Sequence, residues 1–252
     1  MFTGIGLIAF CCIFGAAAAG LLLRKILPEN QRTDATQRTV QTVMNVVAIL
    51  AALVLGLLIA STKTSFDTRS KEIEQFSANL TLLDRELVHL GQEQKDVRAS
   101  LREFTARKIA QTWRTDASPP PVTDDAQTVQ MLDDIEDRLR ALTPEAEIQR
   151  AARSSALQLA AELKRTSRLL AVQESGRTPR PFLVVVIFWL SILFISYTIF
   201  APLNATVVAT IFAGAFSVSV AVNLIFDMDR PFAGFIKVSS VPMQQALEKM
   251  KP

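Results

Sequence analysis

The chain has 252 residues, half of them hydrophobic and a fifth charged, with a formal net charge of +3. Its apolar residues are not spread as a soluble domain would spread them: residues 2–23, 39–62, 181–204 and 205–226 contain no Lys, Arg, Asp or Glu at all. The stretch from 61 to 181 balances 19 basic against 19 acidic residues, so the positive excess flanks the apolar runs, and a phosphate-binding stripe and nucleic acid as a partner are excluded.

A helix rises about 1.5 Å per residue, so the first run spans roughly 33 Å and matches a hydrocarbon core of about 30 Å. Burying one charge at mid-membrane costs on the order of 2.5 to 3.5 kcal/mol, and strict exclusion of charge is what a spanning helix requires. Cys11 and Cys12 are adjacent within this run and cannot form a structural disulfide with each other. The first loop holds Arg24, Lys25, Arg32 and Arg38 against Glu29 and Asp34.

No proline occurs between Thr39 and Trp113, so the second helix can run unbroken out of the membrane. Beyond it, Phe66, Ile73, Phe76, Leu80, Leu83, Leu87 and Leu90 fall seven, then three and four residues apart. That is a heptad seam, which buries one narrow stripe against other helices in a coiled-coil-like bundle. Gly91 reads as its cap, and Val97, Leu101, Phe104 and Trp113 mark the next helix. The single histidine, His89, has no cysteine near it with which to build a zinc site and reads as a solvated helix residue.

Ser118 and three consecutive prolines, 119–121, predict a turn, with Thr123 or Asp124 capping a helix striped by Val129, Leu132, Ile135, Leu139 and Leu142. Thr143 and Pro144 predict the start of a longer helix, striped by Ile148, Ala152, Ala156, Leu159, Leu163 and Leu170 and closed by Gly176 and Pro179.

The third and fourth runs are separated only by Pro202, Leu203 and Asn204, which predicts an antiparallel hairpin. Trp189 and Tyr197 lie within the third run and are candidates for an interfacial belt. Small residues recur every four positions at Ala205, Ala209, Ala213, Ser217 and Ala221, and again in the second run at Ala48, Ala52, Gly56 and Ala60. Such ridges let helix backbones approach closely in lipid, within one chain or between subunits. Asn45 and Asn223 need partners in hydrocarbon, and they either bond across helices or face a water-filled path. With no charge inside any span, a proton-driven transporter or voltage sensor is disfavoured.

Past the fourth run, Asp227 and Asp229 form a small acidic site at the membrane surface. A calcium ion wants six to eight oxygens, more than this stretch offers, so an ion pair or helix-end contact is the simpler reading. Ser239 or Ser240 with Pro242 opens a short terminal helix.

Three segments, AALVLGLLIASTKTSFDTRSKEI, PFLVVVIFWLSILF and DMDRPFAGFIKVSS, resemble bacterial membrane proteins of a bestrophin-like domain family. The resemblance implies a homo-oligomeric anion channel with two membrane hairpins and a cytosolic helical region between them. It also implies that the second helix lines the pore, making Asn45, Ile49, Leu53 and Leu57 the pore-lining candidates, since apolar rings gate by dewetting. The second span departs from the family pattern in having no aromatic residue after Val40, and the acidic calcium-binding run is reduced to Asp227 and Asp229.

The expected architecture is therefore an all-α membrane protein: four transmembrane helices in two hairpins with a cytoplasmic helical bundle inserted between them. Residues 1–62 form the first hairpin, 63–180 the soluble helical region, 181–226 the second hairpin, and 227–252 a cytoplasmic tail with a short helix. Ten basic residues near the spans on the side of the middle region, against four in the first loop, place that region and both termini in the cytoplasm, with the spans in the bacterial plasma membrane. The expected partners are the lipid bilayer, further copies of the chain and small anions, with no cofactor, metal or catalytic group. The alternative is a non-conducting scaffold or signalling protein that docks another helix on the seam from Phe66 to Leu90.

Overall fold

The computed structural model describes residues 4–28, 33–113, 126–173, 180–232 and 234–250. Among them there is no strand. The helices are α1 (Gly4–Ile26), α2 (Asp34–Leu90), α3 (Lys95–Thr112), α4 (Ala126–Ala141), α5 (Glu147–Gln173), α6 (Arg180–Phe200), α7 (Ala205–Met228) and α8 (Val241–Lys249), with a 3₁₀ turn at Gln92–Gln94. The proline turn at 118–121, the caps at Thr123 or Asp124, and the closing Gly176 and Pro179 lie outside the described residues.

Two compact units emerge, one from Met1–Ser65 with Thr178–Arg230, the other from Phe66–Arg177 with Pro231–Pro252. Helix α2 contributes its first half to the former and its second half to the latter. Helices α1, α2, α6 and α7 are each long and apolar enough to cross a membrane.

In the first unit, α1 packs along both α6 and α7. Its buried face is Gly6, Ala9, Ile13, Ala17 and Gly20, a three-to-four-residue period in which small side chains bring the helices close. Gly20 is the tightest point: a Cβ there would lie 2.7 Å from the Ile195 carbonyl oxygen and overlap the Thr198 hydroxyl. One turn on, Arg24 Nη1 donates to the Ala201 carbonyl at 2.5 Å, placing a cation where α6 leaves its last carbonyls open. Phe10 and Phe14 stack at 5.5 Å and both meet Phe212 of α7 edge-on. The remaining core comes from Ala51 of α2, Val186, Leu190 and Leu193 of α6, and Ala215 and Val222 of α7.

In the second unit the heptad seam is the core. Ile73, Phe76, Leu80, Leu83, Leu87 and Leu90 are all buried, in one cluster with Val97, Leu101 and Phe104 of α3, Leu132, Ile135 and Leu139 of α4, and Ala156 and Leu163 of α5. Gly91 ends α2 with φ +112° and ψ 174°, a backbone region open essentially to glycine alone. Arg98 Nε and Nη2 grip Asp84 at 2.7 and 3.1 Å across that turn. The bidentate hydrogen bond to Asp84 raises the guanidinium pKa against the opposing effect of desolvation. On the other side, the Lys164 ammonium is raised by its hydrogen bond to Asp133, with Glu136 adding at 3.3 Å.

Two features differ from the sequence reading. Helix α5 begins at Glu147 rather than at Thr143–Pro144, because residues 142–146 form a linker. Across that linker Arg153 caps the end of α4, donating to the Leu139 and Arg140 carbonyls at 2.9 and 2.7 Å. Ile148 consequently lies in the first turn of α5, 78% exposed, and Ala160 joins the buried stripe. The C-terminal segment is also more than a tail: Val238, Met243, Ala246 and Met250 belong to the bundle core, α8 packs on α3, and Trp113 Nε1 donates to the Val238 carbonyl at 2.7 Å.

Candidate pore-lining face

A helix advances about 100° per residue, so the exposure pattern along α2 assigns each side of it. Between residues 41 and 64, the buried or half-buried positions are Gln41, Met44, Val47, Ala48, Ala51, Val54, Leu55, Leu58, Ile59 and Thr62. All of them fall on one half of the helix. The other half, about 180° wide, carries Thr42, Asn45, Val46, Ile49, Ala52, Leu53, Gly56, Leu57 and Ala60, and no described residue buries it. Ile49, Leu53 and Leu57 are 69%, 59% and 62% exposed.

Three of the four candidate pore residues are thus a bare apolar ladder, with rungs about 6 Å apart along the axis. The fourth, Asn45, sits at the edge of the open half and accepts a hydrogen bond from the Tyr197 hydroxyl of α6 at 2.7 Å. This amide therefore makes a cross-helix bond. Thr42 and Thr64 on the same half give their protons to the Arg38 and Ala60 carbonyls.

The small-residue ridges also lie mostly on open surface. Ala48 is half-buried in the core, whereas Ala52, Gly56 and Ala60 are exposed, and a Cβ on Gly56 would meet no atom within 4 Å. On α7, Ala205, Ala209, Ala213 and Ser217 are exposed and only Ala221 is half-buried. Contacts within the chain use the neighbouring register, through Ala51, Ala215 and Ser219. Asp227 is buried at the end of α7 and Asp229 follows as its C-cap, while Arg230 lies 4.4 Å from the centre of the Phe226 ring. Among the described residues, no group of three or more His, Cys, Asp or Glu side chains could hold a metal ion. His89, Cys11 and Cys12 are exposed.

Tyr197, Arg24 and Gly20 carry contacts that no motif announced. A phenol inside a charge-free run, a cation just beyond one, and a glycine in a small-residue stretch were the available signals.

Four membrane-length helices and a bundle closed around a heptad seam define a multi-span, all-helical membrane protein. The chain belongs to the Bestrophin-like domain family, whose family model matches residues 11–243. Its fold resembles crystal structures of a bacterial bestrophin homologue from Klebsiella pneumoniae. A leucine-to-threonine mutant of that protein aligns with a TM-score of 0.66 at 12% identity, over 94% of this chain and 97% of the other. An isoleucine-to-threonine mutant aligns with a TM-score of 0.59 at 11% identity, over 97% of both chains. At these identities the likeness shows the fold. No curated protein sequence matches the chain.

Proposed function

We propose that the chain assembles as a homo-oligomeric channel for small anions, its path lined by the open half of α2. The observation that carries this reading is the ladder of Ile49, Leu53 and Leu57, left bare by the described residues in a helix whose opposite half is packed. Copies arranged around an axis would turn these ladders inward as apolar rings that gate by dewetting. The ridges on α2 and α7 would then let subunits approach closely, with Gly56 offering the least bulk.

In this arrangement α1 with α2, and α6 with α7, are the two membrane hairpins. The helical bundle and both termini lie in the cytoplasm, in keeping with the distribution of Lys and Arg about the spans. Family membership and the lack of any nucleophile-and-base pairing in the sequence support a non-enzymatic role. A scaffold acting through the seam from Phe66 to Leu90 is less well supported, because the chain's own helices already bury that stripe.

The test is chloride efflux from liposomes holding the purified protein. Efflux above that of empty vesicles supports the channel, and its absence from a correctly assembled oligomer argues for a non-conducting role.

A further inference from the structure

The Tyr197–Asn45 hydrogen bond does more than join two helices, because it decides which end of an amide is left available. An asparagine side chain offers an acceptor oxygen and an NH2 group with two donors. The Tyr197 hydroxyl engages Oδ1 at 2.7 Å, and among the described residues Asn45 Nδ2 has no partner. This amide sits on the open half of α2, within a run free of charged residues and one turn from Ile49. An N–H pair without an acceptor is costly in hydrocarbon, whereas it is well placed beside water or an anion shedding its hydration shell. The neighbouring hydroxyl of Thr42 offers no equivalent, since it donates to the Arg38 carbonyl of its own helix.

We propose that Asn45 is the anion-selecting residue of the path and that Tyr197 sets its polarity by holding the amide with Nδ2 outward. The ligand is a small, weakly hydrated anion of the halide class. With the amide reversed, Oδ1 would face the path and favour cations instead. The inference rests on the channel reading above and adds to it a residue and a sign.

The experiment measures reversal potentials across a salt gradient for the reconstituted full-length protein, with chloride as the probe anion. Wild type is expected to prefer chloride over potassium. Tyr197→Phe removes one oxygen, keeps the ring, and should lower the chloride preference about three- to tenfold, the range for loss of one hydrogen bond. Asn45→Leu should lower it by at least as much, and Asn45→Asp should turn it toward cations. Size-exclusion profiles matching wild type show that each variant is assembled, and if Tyr197→Phe does not assemble, Asn45→Leu alone decides. An unchanged permeability ratio in assembled Tyr197→Phe and Asn45→Leu overturns the proposal while leaving the anion channel standing, whereas a wild-type protein that prefers potassium overturns both the proposal and the anion selectivity of the channel reading. Absence of any current from wild type removes the channel reading and this inference together.

Discussion

Arg24 at the end of α1 donates to the carbonyl of Ala201 at the end of α6, 2.5 Å away, and so ties together two helices far apart in the chain. A charge-assisted bond of this kind is worth about 1.5 to 3 kcal/mol where water is scarce. Arg24→Leu should therefore lower the melting temperature of the detergent-solubilised protein, with Arg24→Lys keeping part of the loss in hand. Equal melting temperatures for Arg24→Leu and wild type would show that the contact contributes nothing.

Gly20 and Gly56 should respond differently to the same change. Gly20→Val drives new atoms into the Ile195 carbonyl and Thr198, and overpacking of that kind costs about 1 to 3 kcal/mol or more. A Cβ at Gly56 meets no described atom within 4 Å beyond its own helix, so the Gly56→Val subunit should fold normally. If the ridge containing Gly56 joins subunits, this variant should still run at a smaller size than wild type by light scattering. A Gly56→Val oligomer of unchanged mass and stability would place that ridge away from any subunit contact.

Leu53 stands mid-way along the bare ladder of α2. Replacing an apolar ring by hydroxyls lowers the barrier to wetting, so Leu53→Thr should raise chloride efflux several-fold at equal protein load. Leu190, buried on α6, should show no such gain when changed to Thr, and should lose stability instead.

The ion pairs of the bundle carry a pH signature. Lys164 has its pKa raised above the ordinary 10.5, first by its hydrogen bond to Asp133 and then by Glu136. A raised folded-state pKa means stabilisation that is full below the unfolded value and lost as pH climbs through the folded one. The stability gap between wild type and Lys164→Met, up to about 1 kcal/mol for a partly exposed pair, should hold steady from neutrality to about pH 10 and then close. Chemical denaturation at several pH values measures it.

Much of the bundle was legible because its signals are local and periodic. The seam from Ile73 to Leu90 repeats at heptad spacing, and every one of those side chains is buried. Gly91 announced a turn that needs positive φ, and φ is +112°. The start of α5 was misplaced because Thr143–Pro144 has the form of a cap, while residues 142–146 form a linker that Arg153 of α5 spans to reach the last carbonyls of α4. The packing of α8 was hidden because Met243, Ala246 and Met250 make too short a pattern to name their partner. In the membrane segments hydropathy fixed length alone: a span that is apolar all round gives no clue to which half is covered. The Tyr197–Asn45 bond joins residues 152 apart in sequence, and no spacing rule connects them.

Single-particle electron microscopy of the purified protein in a lipid nanodisc tests the central claim most directly. The account predicts a closed ring of identical subunits around a central path, with Ile49, Leu53 and Leu57 of every α2 facing the axis. A monomer, or an assembly whose α2 ladders face the lipid, would contradict it.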